Sequence, residues 1–189
     1  LDVTPMVRVP WNDPIPIMKA LDAGAYGIVC PMINNREEAE KFVGACRYFP
    51  QGYRSYGPAR AAMYSGGDYA SEANDTIITM AMIETLASLD NLDEIMSTDG
   101  LDAIYVGPAD LSISLGHPPS ADPTVPEVVE AMDNILAAAK RNGVVAGSHC
   151  ANGEMANRLF AKGFQFCTIA NDNRLLAMKA AEEIAAARG

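Results

Sequence analysis

The stretch IITMAMIETLASLDNLDEIMSTDGLDAIYVGPAD, residues 77–110, decides the fold. It opens on the apolar run Ile77 to Ile83 and passes through Glu84-Thr85 into a segment of helical period, Leu86 to Ser97. It then turns at Gly100 and closes on a second apolar run, Ala103 to Val106, ahead of Gly107-Pro108-Ala109-Asp110. Neither apolar run alternates with polar residues, which is how strands covered on both faces read. A strand, a helix and a second strand of this kind are the repeating unit of a parallel α/β sheet.

The same alternation continues outward to both ends. Further strands are expected at Pro5 to Val9, Tyr26 to Pro31, Val144 to Ser148 and Phe164 to Ile169. Helices are expected at Pro14 to Asp22, Arg36 to Tyr48, Pro126 to Arg141, Glu154 to Ala161 and Arg174 to Arg188. Gly24, Gly100, Gly143 and Gly163 each follow a helical run and supply the left-handed residue that ends it. Asn35 before Arg36-Glu37-Glu38, and Asn152 before Glu154, read as N-caps with acids in the first turn. Strand starts near 5, 26, 77, 103, 144 and 164 lie 21, 51, 26, 41 and 20 residues apart. The longer steps carry insertions, Pro50 to Asp75 and Leu111 to Val125. Both are expected on the face where the carboxyl ends of the strands point, which is where parallel α/β proteins bind ligands.

Six units do not close an eight-stranded barrel. Two more, at about 25 to 30 residues each, would bring the length to about 240 to 250, the usual barrel size. The chain opens on Leu1, almost inside a strand. The expectation is therefore α/β: a TIM-type (β/α)8 barrel represented by about six βα units, strands three to eight, with residues 1–189 in one domain. The alternative is an open six-stranded sheet with a reversal of strand order. No Gly-rich phosphate loop supports it, since Gly66-Gly67 is a lone pair.

Of 189 residues, 49% are hydrophobic and 20% charged, with 14 Lys+Arg against 24 Asp+Glu and a net charge of -10. That excludes a disordered chain. The absence of a basic run argues against nucleic acid and against an anionic membrane surface. The apolar runs are shorter than the roughly 18 residues that span a bilayer, and no signal segment opens the chain, so the reading is a soluble, cytoplasmic protein. Cys30, Cys46, Cys150 and Cys167 are far apart and read as reduced, buried thiols.

Three strand ends carry groups that a plain core would not choose: Arg8 in Val7-Arg8-Val9-Pro10-Trp11, Glu84 in Ile83-Glu84-Thr85, and Asp110 in Gly107-Pro108-Ala109-Asp110. Glu84 and Asp110 follow consecutive strands, so a parallel sheet sets them side by side at one mouth. Two carboxylates there repel unless a cation lies between them, and Mg²⁺ or Mn²⁺ completed by water and substrate oxygens meets that need. The other reading makes them helix caps or solvated loop acids. Arg8 would stabilise a developing oxyanion, or serve as an ion-pair partner. The turn at Gly107-Pro108 aims the amides of Ala109 and Asp110 into the mouth, where they could hold a carboxylate. Together these groups describe a site for an α-keto acid whose enolate must be stabilised. No Lys lies at a strand end to form a Schiff base. His117 reads as a loop residue; His149 ends a strand, as a rim residue or a ligand contact.

At these residues the chain resembles the HpcH/HpaI aldolase family, metal-dependent pyruvate aldolases that cleave 4-hydroxy-2-oxo acids. The likeness runs through Arg8 with Pro10-Trp11-Asn12-Asp13-Pro14, Ala20 to Gly24, Pro31-Met32, Arg47-Tyr48 with Gly52-Tyr53-Arg54, Ile83-Glu84-Thr85, and Gly107 to Ser112. It implies a barrel, usually hexameric as a trimer of dimers, with the last helix exchanged between neighbours. It implies Glu84 and Asp110 as ligands of Mg²⁺ or Mn²⁺, with Co²⁺ an option. It makes Arg8 the enolate-stabilising group and Asp22 the acid that raises the basicity of the general base. That base, a histidine, belongs to a region upstream of Leu1. Asp22 ends a helix before a strand, so its role points to a neighbouring subunit's site. Gly107 and Pro108, with the amides of Ala109 and Asp110, would bind the pyruvate carboxylate.

Met82 stands where some relatives place a glutamine. His149 replaces an apolar contact to the aldehyde, which implies a more polar acceptor, with the 50 to 75 loop helping to select it. The resemblance implies retro-aldol cleavage to pyruvate and an aldehyde through a metal-stabilised enolate. The rivals are a CoA-ester lyase acting on malyl, citramalyl or citryl thioesters, and a non-catalytic barrel fragment.

Overall fold

A computed structural model describes residues 3–65 and 68–189; the glycine pair at 66 and 67 lies outside the described residues. In chain order the elements are β1 (Met6–Arg8), α1 (Pro14–Asp22), β2 (Gly27–Cys30), α2 (Arg36–Cys46), α3 (Ala59–Ser65), α4 (Tyr69–Thr76), β3 (Ile78–Ile83), α5 (Leu86–Asp90), α6 (Leu92–Met96), β4 (Ala103–Val106), α7 (Pro108–Ser114), α8 (Pro126–Asn142), β5 (Val145–Cys150), α9 (Gly153–Lys162), β6 (Phe166–Ile169) and α10 (Asp172–Arg188).

All six strands are parallel and pair in sequence order, β1-β2-β3-β4-β5-β6. Without a reversal of order the sheet curls one way, so it is six strands of a barrel rather than a doubly wound sheet. Strand alternation sorts the side chains into two layers. Ile28, Ala81, Ile83, Ile104, Val106 and Ala146 face the helices within the main core. Val29, Met80, Met82, Ala103 and Tyr105 form a second cluster on the concave side, with Met6, Val145 and Phe166 packed against it.

Helix ends follow local chemistry. Asn35 accepts from the Glu38 amide and Asn152 from the Met155 amide, both at 2.9 Å. Gly143 and Gly163 sit at φ 69° and 113° and close α8 and α9 in the left-handed conformation. Three elements differ from the sequence expectation. The run 86–97 is broken at Asn91, whose side-chain amide bonds the carbonyls of Asn34 and Ala87. The 50–75 insertion contains α3 and most of α4. The 111–125 insertion begins inside α7. Cys30, Cys46, Cys150 and Cys167 are all free, and Cys167 is half-buried rather than buried. No helix among the described residues is long and apolar enough to cross a membrane.

Candidate active site

Glu84 follows β3 and is 2% exposed. One carboxylate oxygen accepts the backbone N–H of Met32 at 2.9 Å, and the other is buried without a partner. Met32 follows β2 in the left-handed region, φ 58°, which turns its amide toward the neighbouring strand end. Burial holds the Glu84 carboxyl above its ordinary range; the Met32 amide opposes this, Asp110 adds to it, and Arg8 opposes it more weakly. A solvated loop acid or a helix cap would not be buried with an orphaned oxygen. The cap of α5 is Thr85, which exchanges bonds with Ser88. Gly107 makes room for Glu84, since a Cβ at that position would collide with its free oxygen and lie 3.1 Å from Met82 Cε.

Asp110 lies exposed in the first turn of α7, beyond β4. The first backbone bond of that helix is Leu111 N to Gly107 O, 2.9 Å, so the amides of Ala109 and Asp110 precede the helical ladder and need another acceptor. Arg8 ends β1 on the concave side and is exposed. Arg8, Met82, Tyr105, Gly107, Pro108, Ala109, Asp110 and His149 line one cleft of about 230 Å³. Glu84 lies against its floor at Gly107. His149 is half-buried, and its Nδ1 is 3.2 Å from Thr168 Oγ1. Burial lowers its pKa, with the charge of Arg174 acting the same way.

The expected placement of the 50–75 insertion fails. The 50–75 insertion follows α2, not a strand, and it therefore lies with the amino ends of the strands, opposite the cleft. Arg47 at its start reaches the carbonyls of Ile77 and Gly100 and the Asp102 carboxylate, all at the foot of β3 and β4. Tyr53, Arg54, Tyr56 and Arg60 therefore cannot select an acceptor in this chain's own cleft. Asp22 lies outside that cleft, as its place at a helix end before a strand implies. It ends α1, where Arg54 Nη2 donates to it at 2.6 Å while the Arg54 guanidinium stacks 4.5 Å from the Tyr48 ring. His117 is a surface residue paired with Glu127 at 2.8 Å.

Two larger hollows lie away from these groups. One, of about 470 Å³, surrounds Arg47, Asn74, Asp75, Asp99 and Asp102 at the foot of the sheet. The other, of about 540 Å³, is the lower concave side around Met6, Met80, Val145 and Phe166. Sequence reading noted Pro31-Met32 but not the role of the Met32 amide, and it missed Tyr105 and Thr168. Tyr105 carried a signal, standing two residues before Gly107 and hence on its face of the strand; the Met32 amide and Thr168 carried none.

The donor set fits a hard cation: a buried carboxylate with one unpartnered oxygen, a second carboxylate beyond the adjacent strand, and a glycine leaving space beside the unpartnered oxygen. Among the described residues no group of three or more His, Cys, Asp or Glu gathers to hold a metal. Any ion here would take its remaining ligands from water or substrate.

Residues 1–178 match the family profile described as HpcH/HpaI aldolase/citrate lyase. The chain is 45% identical over 184 residues to the hydroxypyruvate/pyruvate aldolase of Rhizorhabdus wittichii, covering 97% of this chain and 73% of that protein. It is 40% identical over 185 residues to the 4-hydroxy-2-oxo-heptane-1,7-dioate aldolase of Klebsiella pneumoniae, covering 96% and 69%. A crystal structure of a HpcH/HpaI aldolase/citrate lyase family protein from Burkholderia cenocepacia superposes with a TM-score of 0.89 at 31% identity, over 98% of this chain and 74% of that one.

Proposed function

Because the chain belongs to the HpcH/HpaI aldolase/citrate lyase family, we propose that its cleft makes and breaks the bond between C3 and C4 of a 4-hydroxy-2-oxo acid, giving pyruvate and an aldehyde. The observation that carries this reading is the buried Glu84 oxygen without a partner, set against Gly107 of the cleft that Asp110 and Arg8 line. Glu84 and Asp110 would hold Mg²⁺ or Mn²⁺, with Co²⁺ an option. The ion's contribution would be Lewis-acid polarisation of the 2-oxo oxygen.

The remaining work falls to the chain's own groups. The amides of Ala109 and Asp110 bind the substrate carboxylate, with Gly107 and Pro108 shaping the turn that presents them. Met82 offers an apolar wall beside it. As the 4-hydroxyl loses its proton, the C3–C4 electrons move toward the 2-oxo oxygen, and the guanidinium of Arg8 stabilises the charge that builds there. Protonation of C3 then gives the methyl group of pyruvate. The group that takes the 4-hydroxyl proton is not assigned to any residue named here. Asp22, fixed by Arg54 away from its own cleft, can take part only in the cleft of a second copy. The proposed enzyme is therefore a homo-oligomer, a hexamer as the resemblance implies, with one domain per chain.

The test is exchange of the pyruvate methyl protons for deuterium, followed by NMR, with the intact gene product in Mn²⁺ or Mg²⁺ and again in EDTA. Metal-dependent exchange is expected. A folded, metal-loaded protein that leaves the methyl group untouched would overturn the reading and favour a CoA-ester lyase or a barrel without catalysis.

A further inference from the structure

Three side chains on the concave side form a hydrogen-bonded chain that ends in the cleft. Tyr105 stands opposite Gly147 in the register of β4 and β5, and His149 stands opposite Thr168 in that of β5 and β6. Gly147 carries no side chain between Tyr105 and β6, and a Cβ there would already lie 3.1 Å from the Phe166 ring. The Tyr105 hydroxyl thus reaches across β5 to the hydroxyl of Thr168 and bonds it. The same Thr168 oxygen lies 3.2 Å from His149 Nδ1.

Proton accounting sets the direction. Thr168 has one hydrogen and, among the described residues, only Tyr105 and His149 as side-chain hydrogen-bond partners, so that hydrogen is used when Thr168 accepts from one and donates to the other. A phenol is a better donor and poorer acceptor than an aliphatic alcohol, and a neutral imidazole nitrogen is a good acceptor. The order is therefore Tyr105 to Thr168 to His149 Nδ1. Burial keeps the Tyr105 phenol protonated, with its pKa pushed up to about 12, and keeps the His149 ring neutral. The single ring hydrogen of His149 is then on Nε2.

We infer that His149 offers its Nε2–H to the cleft as a fixed donor that selects a hydroxylated aldehyde over an unsubstituted one. Thr168 and Tyr105 are the positioning residues that set its tautomer. The choice of substrate rests on the aldolase reading; the tautomer does not.

¹⁵N-histidine labelling of the intact gene product, with the His149 signals identified by their loss in His149→Phe, reads the tautomer directly. A protonated Nε2 and unprotonated Nδ1 are expected. Thr168→Val should mix the tautomers, and Thr168→Ser should restore the native pattern. With glycolaldehyde and propanal as competing acceptors for pyruvate, Thr168→Val and Tyr105→Phe should lower the kcat/KM ratio between them by about 3- to 10-fold, the size of one neutral hydrogen bond. A loss of folding lowers both rates together and leaves the ratio unmoved. A wild-type ring protonated on Nδ1, or a ratio unchanged in Thr168→Val, overturns the proposal. If pyruvate exchange is absent altogether, the aldolase reading fails, and the relay is judged by the tautomer and by whether glycolaldehyde, but not propanal, shifts the His149 Nε2 resonance.

Discussion

Glu84 is a carboxylate whose burial opposes its own charge. Its raised pKa means that the folded state holds the proton more tightly than the unfolded chain does. The resulting stability is fully present below the ordinary value of 4.5 and is lost as pH rises through the folded value. In metal-free protein the stability of wild type relative to Glu84→Gln should therefore fall as pH rises from acid to neutral, and Mn²⁺ should restore it for wild type alone. Thermal melts across pH check this; a difference that does not vary with pH would remove Glu84 from the titrating groups. Arg8 sits where charge is proposed to build, exposed at the end of β1. Arg8→Ala should slow enolate formation on the order of 10² to 10³ while metal affinity is retained. Near-normal methyl exchange would assign Arg8 elsewhere. Both residues were visible in the sequence as charges ending apolar strands. The orphaned oxygen was not, since it depends on a Met32 amide 52 residues away in sequence.

At the scale of elements, the turn from β4 into α7 sets Gly107 against Glu84 and carries Asp110 in the first turn of the helix. Gly107 has an ordinary φ of -97°, so its requirement is space for Glu84 rather than backbone freedom. Gly143, at φ 69° with nothing within 4 Å of a built Cβ, has the opposite requirement. Gly107→Ala should destabilise by about 1 to 3 kcal/mol through overpacking and weaken metal binding. Gly143→Ala should cost about 1 to 2 kcal/mol by strain alone and leave metal binding intact. Denaturant titrations alongside Mn²⁺ titrations separate the two. Helix starts such as Asn35 and Asn152 were legible because a cap bonds within its own first turn. The break at Asn91 was not, because its side chain answers to the carbonyl of Asn34, on the loop after β2. The side of the sheet taken by the 50–75 insertion was misjudged for a related reason: it follows a helix, and Arg47 anchors it to the feet of the strands.

For the whole molecule, six parallel strands leave β1 and β6 each bonded on one side only. The concave layer is open between them, and α10 buries no side chain while exposing Leu175, Leu176, Met178 and Ile184. Hydrogen exchange should find the amides of β3 and β4 slowest, those of β1 and β6 faster, and those of α10 fastest in dilute protein. If α10 docks on a second copy, its protection should rise with protein concentration, and size exclusion should show the matching species. Uniform protection at every concentration would mean that α10 packs against its own chain.

By itself the sequence determined the parallel α/β repeat, the helix caps and the carboxylates at consecutive strand ends. Those features arise from period, turn chemistry and order along the chain, all of which act locally. Tertiary structure alone decided that Glu84 is buried with one oxygen unpaired, that Arg54 is the partner of Asp22, and that Tyr105, Thr168 and His149 are hydrogen-bonded across three strands. Each of these depends on which residues the curvature of the sheet brings within bonding distance, and no spacing along the chain encodes that.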